Sequence, residues 1–211
     1  MKAIVTGDAE YVVRSFDNLP PGAHVAVRTS PTQLPDSGIA LRLAGFEIRD
    51  TIAHVVGDRI VWWILARKPL DGTVAANVLA HGVGGLNIDA SRVGTEVTIT
   101  KRPVAKSDGK VYGKFNGGED SENPPGRFPA NVLLDEHAAK EMDEQSGVSK
   151  SPPVGSMANT KGAGSVFPRK GRPPSPNGHG DSGGASRFFP TLNEDEAENW
   201  IRKLIDPDYP E

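Results

Sequence analysis

Polar and apolar residues alternate along several short stretches of the chain, as they do in half-buried strands. Residues 23–29 (AHVAVRT) follow a Pro-Pro-Gly turn and alternate in this way. Two β-rich runs, 46–56 and 60–68, are separated by a Gly-Asp pair that permits a tight hairpin turn. A shorter run lies at 131–134. The pattern therefore predicts four strands, two of them joined in a hairpin.

Other stretches have the apolar spacing of helices. These are 34–44, 73–81, an acidic segment that ends near residue 145, and 194–205. Gly45 is a plausible C-terminal stop for the first of them. Thr73 can cap the second, and Val74, Val78 and Leu79 share one of its faces. We therefore expect helices between and after the strands.

Two stretches show neither periodicity. Residues 95–126 are polar and glycine-rich, which predicts a loop. Residues 146–186 are low-complexity Gly/Pro/Ser sequence with little reason to pack, which predicts a mobile segment. The 211 residues include 24 Gly and 18 Pro, so long loops are expected in one domain or one domain plus a mobile segment.

The net charge of −3 is unevenly distributed. Residues 146–179 contain no acid and five lysines or arginines, and 101–114 contain five basic residues against Asp108. The tail, 193–211, carries seven acids against two basic residues. Basic loops beside an acidic tail suit a nucleic-acid surface, although solvated loops have the same composition.

Several classes of protein are disfavoured by the composition. Without cysteine there is no disulfide framework and no thiolate metal site. The five histidines, His24, His54, His81, His137 and His179, lack metal-ligand spacing, so no metal is expected. No apolar run reaches the roughly 18–20 residues that span a bilayer, and the start MKAIVTGDAE lacks the regions of a signal peptide. We expect a soluble, cytoplasmic protein without membrane contact.

Segments spread along the chain resemble the DNA adenine-N6/cytosine-N4 methyltransferases often carried by phages and prophages. The segments are AGFEIRDTIAHVVG (44–57), ILARKPLDGTVAANVLAHGVGGLNIDASRVG (64–94), GRFPANVLLDEHAAKEMDEQSGVSKS (126–151) and GGASRFF (183–189). LPPGAHVAV (19–27) is similar to the family's Leu-Lys-Pro-Gly-Gly-His strand, and NWIRKLIDP (199–207) to the helix before its cofactor loop. The resemblance implies an α/β fold with a partial Rossmann-like methyltransferase sheet and long Gly/Pro-rich loops.

Three parts of the family pattern are not found. Family members carry Asp-Pro-Pro-Tyr before the Pro-Gly-Gly-His strand, and this clamp holds a target base that has left the duplex. None of the residues before Leu19 spells it. A Phe-x-Gly-x-Gly loop, which wraps S-adenosylmethionine, is expected after the last helix, and an Asn-x-His-Pro-Thr-x-Lys-Pro segment is replaced by TLNEDEAE. We expect no catalytic residues and no bound cofactor in this chain alone.

The resemblance therefore implies a methyltransferase-like protein that binds double-stranded DNA or a partner subunit without transferring methyl groups itself. An alternative is a methyltransferase dependent on S-adenosylmethionine and active only when a second chain completes it. A relic without selected activity is a third possibility. Loss of central strands would leave sheet edges that invite pairing, so a homodimer or a catalytic partner subunit is also expected.

The resemblance also divides the chain. Residues 1–145 would form the methyltransferase-like α/β core with a variable loop at 95–126. Residues 146–186 would be a basic low-complexity segment, and 187–211 the C-terminal helix and acidic tail.

Candidate DNA contacts are the basic residues of the two loops and of the family segments. They are Arg67, Lys68, Lys101, Arg102, Arg127, Arg169, Lys170, Arg172 and Arg187. Arg127 and Arg187 each belong to a family segment, and we expect them to line one groove.

A remote alternative is a serine protease. Gly-Asp-Ser-Gly-Gly at 180–184 matches the nucleophile segment of chymotrypsin-like enzymes, and a triad of His54, Asp89 and Ser182 would follow. The flanking sequences belong to the methyltransferase pattern, which explains all three sites without a triad.

Overall fold

The structure, a computed structural model, describes residues 2–95, 97, 99–100, 107–109, 113–115, 121–150, 181–206 and 208–210. The strands are β1 (Ala3–Thr6), β2 (His24–Thr29), β3 (Glu47–Val56), β4 (Arg59–Arg67), β5 (Ile99–Thr100), β6 (Ser107–Gly109), β7 (Gly113–Phe115), β8 (Ser121–Glu122), β9 (Val132–Leu134), β10 (Ser149–Lys150) and β11 (Ser182–Gly183). The α-helices are α1 (Ala9–Arg14), α2 (Leu34–Leu43), α3 (Val74–His81), α4 (Glu136–Ser146) and α5 (Glu194–Ile205). Short 3₁₀ turns lie at Phe16–Asn18, Asp89–Ser91 and Ala185–Phe188.

The central sheet is mixed and has the strand order β1-β2-β4-β3-β9. β1 pairs with β2 in parallel, as β3 does with β9, whereas β4 runs antiparallel to both of its neighbours. The β3–β4 hairpin is the longest pairing, and Gly57 at its turn has a φ of 56°, which glycine adopts without strain. The predicted hairpin is therefore confirmed.

Helices cover both faces of the sheet because successive residues of its strands point to opposite sides. On one face Ile64 and Ala66 of β4 belong to a core with α1 and α2. On the other face Trp63 and Leu65 belong to a core with α5. The chain is thus an α/β protein with Rossmann-like layering, as predicted, and of the two neighbouring tryptophans Trp63 is the one buried in the core.

A smaller apolar cluster lies at the β9 end of the sheet, where Leu134 packs against Ala138 and Ala139 of α4. Asp135 caps α4 by accepting from Ala138 N and also accepts from Gly57 N at 2.8 Å. Burial acts to raise the pKa of Asp135, but the hydrogen bonds from Ala138 N and Gly57 N, with the nearby His137 and His54, together hold that pKa below the ordinary value. One carboxylate therefore joins the hairpin turn to α4.

Most of the predicted strands and helices are confirmed. The differences are short elements that the sequence pattern did not predict. β1 and α1 were not predicted. Within 95–126, where a loop was predicted, the described residues form two short antiparallel pairs, β5 with β8 and β6 with β7. These strands of two or three residues are too short for alternation to be recognised. Of the predicted mobile segment 146–186, residues 151–180 lie outside the described part, and β10 pairs with β11 across it.

α3 begins after its predicted cap, Thr73, and the face that its apolar residues were predicted to share is turned to solvent. Val74, Val78 and Leu79 do not face the core, being 44%, 42% and 89% exposed, whereas Asn77 is completely buried. Among the described residues, no helix is long and apolar enough to cross a membrane.

Candidate functional site

The carboxyl ends of β1 and β2 meet at one edge of the sheet because these strands are parallel. Open α/β sheets bind ligands at such an edge. A cleft of about 480 Å³ lies there, between the segment from Gly7 to Glu10, the end of β2 at Arg28 and Thr29, and the first turns of α2. A base clamp or a cofactor site of the kind that the resemblance implies would be expected at this edge.

Asp8 lines this cleft and is separated from Tyr11 as the first and last residues of the clamp Asp-Pro-Pro-Tyr are, but Ala9 and Glu10 replace the prolines. Alanine and glutamate favour a helix, and α1 begins here. Asp8 Oδ1 accepts from Tyr11 N at 2.9 Å, and Asp8 Oδ2 lies 3.9 Å from Arg14. One oxygen of the carboxylate that would hold a base amine is therefore engaged as a helix cap.

The charges of the cleft match S-adenosylmethionine only in part. The carboxylate of that cofactor needs a hydrogen-bond donor, and the arginine of the cleft, Arg28, is bonded to Glu194. Glu194 is shared with Arg59. The other charged residues that line the cleft are acids: Asp8, Glu10 and Asp36.

A second polar cluster lies around Asp181, whose side chain is only 6% exposed. Its Oδ2 accepts from Arg127 Nη2 and from Arg187 Nε, the latter at 2.9 Å. Both guanidinium groups lie against the ring of Phe188, at 4.9 and 4.2 Å from its centroid. Arg127 and Arg187 therefore lie together, whereas their contact with DNA stays a prediction. We call Arg127, Asp181, Arg187 and Phe188 the arginine junction.

The arginine junction connects the residues at which the two basic segments begin and end. Arg127 pairs with Val93 through two backbone hydrogen bonds, of 3.0 and 2.7 Å. These bonds join the two ends of the predicted variable loop. Arg187 donates to Gly183 O in β11 and to Ser149 Oγ in β10, which flank residues 151–180. The described residues that flank these two basic segments consequently lie close together.

Arg67 and Lys68 have intramolecular partners in this structure. Arg67 is 8% exposed and donates to Glu47 Oε2 at 2.7 Å. Lys68 Nζ donates to Phe16 O and Leu19 O and lies 4.5 Å from the ring centroid of Phe16. DNA contact by these two residues stays a prediction, but their geometry favours a structural role.

The other predicted DNA contacts, Lys101, Arg102, Arg169, Lys170 and Arg172, lie outside the described residues.

His54, Asp89 and Ser182 do not form a catalytic triad. His54 is 1% exposed in β3, and its Nε2 hydrogen-bonds to Leu192 O at 2.9 Å. Burial lowers the pKa of His54, and the acids that act on it are Glu194 and Asp135 rather than Asp89. Asp89 accepts from Arg92. Ser182 pairs with Lys150 in the β10–β11 ladder. The protease alternative is therefore wrong.

The part of the chain that the structure describes contains no group of three or more His, Cys, Asp or Glu residues that could hold a metal ion.

Comparison with known proteins finds few relatives. No protein-family model and no curated protein matches the chain. A crystal structure of the DNA methyltransferase M1.HpyAVI is similar to 32% of this chain and 44% of its own, with 18% identity and a TM-score of 0.30. A crystal structure of the M1.HpyAVI–SAM complex is similar to 35% of this chain and 45% of its own, with 18% identity and a TM-score of 0.31. The chain thus spans less than half the length of these proteins, and the likeness concerns the fold of that part alone.

Two features of the site were missed in the sequence. The Asp8–Tyr11 spacing could have been found by allowing substitutions at the two prolines of the clamp. Asp181 gives no local signal, because its partners Arg127 and Arg187 are 54 and 6 residues away.

Proposed function

We propose that this chain is a methyltransferase-like protein that binds double-stranded DNA through its basic segments 101–114 and 150–172, without transferring methyl groups itself. The arginine junction is the observation that carries the proposal. The junction supports DNA binding because it holds the ends of the two basic segments close together, so that both segments can contact one stretch of duplex.

The charges of the segments support binding to the phosphate backbone. Residues 101–114 carry five basic residues and one acid, and 150–172 carry five basic residues and no acid. Lysine and arginine contacts to phosphates release counterions, so the affinity should fall steeply with salt. Glycine and proline in both segments allow them to follow a groove rather than pack on the core.

The geometry of Asp8 supports the non-catalytic part of the proposal. A base amine needs a free acceptor and an adjacent ring, and here the acceptor caps α1. The other oxygen, Asp8 Oδ2, lies 3.9 Å from Arg14, which competes with a base amine for it.

Fluorescence anisotropy of the full chain with a labelled duplex, from low to physiological salt, tests the proposal. The variant Arg169→Gln/Lys170→Gln/Arg172→Gln should bind more weakly on every sequence. If the three side chains contact phosphates, the slope of log Kobs against log salt should fall by about 3.

A matched control removes three cations elsewhere. Arg14, Arg42 and Arg49 are exposed on α1, α2 and β3. Their triple glutamine variant has the same net charge and should keep the wild-type slope. Equal slopes for both triple variants, or no binding at low salt, would remove the proposal.

A second candidate is a methyltransferase completed by another chain that brings the S-adenosylmethionine site. The Asp8–Tyr11 spacing beside the cleft favours it. Transfer of labelled methyl groups from S-adenosylmethionine to duplex DNA distinguishes the two. We expect none from the purified chain, and transfer by this chain alone would contradict the non-catalytic proposal.

A further inference from the structure

Phe128 presents an aromatic ring to solvent beside the arginine junction. Its side chain is 68% exposed, although phenylalanine is among the residues most often buried. It directly follows Arg127, whose guanidinium group belongs to the junction. Single exposed apolar side chains are common on protein surfaces, but this one is held on a fixed backbone and lies next to basic segments.

The backbone around Phe128 is constrained on both sides. On one side Arg127 forms two backbone hydrogen bonds with Val93, of 3.0 and 2.7 Å. Gly126 approaches the facing chain so closely that a Cβ there would clash with a backbone oxygen. On the other side, Pro129 restricts the residue before it to extended backbone. A ring that is already held in place loses little conformational freedom when it binds, which suits a recognition contact.

The two rings at the junction differ in what lies against them. The guanidinium groups of Arg127 and Arg187 lie against Phe188, at 4.9 and 4.2 Å from its ring centroid. Arg127 is turned towards Asp181, and successive side chains of extended backbone point to opposite sides. Phe128 is therefore directed away from the junction, towards solvent. Its ring, rather than that of Phe188, is the one open to a ligand.

The charge near Phe128 favours a nucleic acid over a protein as the ligand. Residues 101–114, within the insertion that ends at Arg127, carry five basic residues and one acid. An exposed ring beside cations matches a ligand that has a flat aromatic face beside anionic groups, and a nucleotide has both. The core of a protein interface is depleted in charged residues, whereas Phe128 directly follows an arginine.

We propose that Phe128 stacks on an unpaired base of the bound DNA, a contact that rests on the proposed function and adds a base to its phosphate contacts. Every base has an aromatic face, so such stacking tolerates any sequence. A base inside an intact duplex is stacked between its neighbours, whereas an unpaired base leaves the stack at a smaller cost. The chain should therefore prefer DNA with an unpaired base over fully paired duplex.

Fluorescence anisotropy of the full chain with three labelled DNAs tests this contact. They are a fully paired duplex, the same duplex with one bulged adenine, and the same duplex with an abasic bulge. The wild type should bind the adenine bulge about 5- to 150-fold more tightly than the paired duplex, the range of one stack between a base and an aromatic ring. The abasic bulge has no base to stack and should gain much less. Equal affinity for the two bulges overturns the proposal.

Substitutions of Phe128 separate stacking from other contacts. Phe128→Ala should abolish the preference for the adenine bulge and leave the affinity for the paired duplex unchanged. Phe128→Leu should also abolish it, because leucine is apolar but has no aromatic face, and Phe128→Trp should keep it. The variants should fold normally, since this side chain is exposed. A preference that survives Phe128→Ala or Phe128→Leu overturns the proposal.

Leu79→Ala, at an exposed apolar residue on α3, is the matched control and should keep the wild-type preference. Binding of the paired duplex without any preference for the adenine bulge overturns the stacking contact and leaves the proposed function standing. No binding of any of the three DNAs at low salt removes both. A protein ligand for this ring would leave all DNA affinities of Phe128→Ala at the wild-type values, which also overturns the proposal.

Discussion

At the scale of single residues, the partner of a side chain decides its role more than its charge does. Lys68 lies in a basic Arg-Lys pair at the end of a strand, which is a plausible phosphate contact in the sequence. In the fold its ammonium group donates to Phe16 O and Leu19 O, at 2.8 and 2.7 Å, and holds the 3₁₀ turn against β4. The same cation can serve DNA only by leaving these carbonyls.

Replacing Lys68 distinguishes the two roles. Lys68→Met keeps the apolar stem and removes the donors, so the free energy of unfolding should fall by about 1–3 kcal/mol. Affinity for duplex DNA should change little. Urea unfolding and anisotropy measure the two effects. Lys140→Met, at a 78% exposed side chain, is the control and should leave the stability within about 0.5 kcal/mol. Unchanged stability with weaker DNA binding for Lys68→Met would reverse this assignment.

Asn77 provides a second prediction at this scale. Asn77→Ala leaves Pro21 O, Val83 O and Asp71 N without their partner and should lower the free energy of unfolding by about 2–3 kcal/mol. Val74→Ala on the same helix removes an exposed side chain and should cost about 0.5 kcal/mol or less. Urea unfolding of dilute protein compares them. Similar losses for both variants would show that Asn77 does not fix α3.

At the scale of elements, long periodic stretches could be predicted and short ones could not. The β3–β4 hairpin, α2 and α5 have enough residues to show their period and clear stop signals. β1 has four residues, and such an apolar run does not distinguish strand from helix. For α3 the cap and the shared apolar face were predicted, but the sequence did not indicate that this face is turned to solvent. Its orientation depends on Asn77 and the carbonyls of Pro21 and Val83, which periodicity does not reveal.

The arginine junction allows a prediction for the elements it joins. Asp181→Asn leaves two part-buried guanidinium groups without their shared carboxylate and should lower the free energy of unfolding by about 3 kcal/mol. Asp89→Asn removes a carboxylate that is 73% exposed and bonded to Arg92, and should cost less than about 1 kcal/mol. Chemical unfolding of both variants gives the comparison. If both variants lose the same small free energy of unfolding, the junction does not hold the ends of the two segments together.

For the whole molecule, the layers could be predicted and the strand order could not. The family segments and the alternating pattern indicate an α/β protein. The parallel pairing of β3 with β9, however, joins Ala53 to Val132 across the large insertion. Pairing at that separation depends on tertiary packing, as does the contact of α5 with β1. The spacing of Asp8 and Tyr11 can be found in the sequence, but the role of Asp8 as the cap of α1 is evident only from the fold.

The stability of the whole molecule should fall in mild acid because two histidines are buried. Burial, with smaller effects of Arg67 and Arg49, lowers the pKa of His24 from 6.5 to about 4, and burial also lowers that of His54. Their folded pKa values lie below the unfolded value, so the unfolded chain binds more protons in acid. The stabilisation is complete above about pH 6.5 and is lost as the pH falls towards 4, about 3 kcal/mol for His24.

Thermal melts between pH 7.5 and pH 4 measure this loss, and His24→Gln should make it smaller because glutamine does not titrate. His137→Gln, at an exposed histidine on α4, is the matched control and should follow the wild type. His54→Gln should also reduce the change of melting temperature with pH, because glutamine does not titrate. Its amide can still donate to Leu192 O, as His54 Nε2 does, so the fold should be kept. A wild-type melting temperature that is flat between pH 6.5 and pH 4 would mean that neither histidine stays neutral in the fold. The Asp135 cap does not contribute to the upper half of this window, because its pKa lies below the ordinary value of an aspartate.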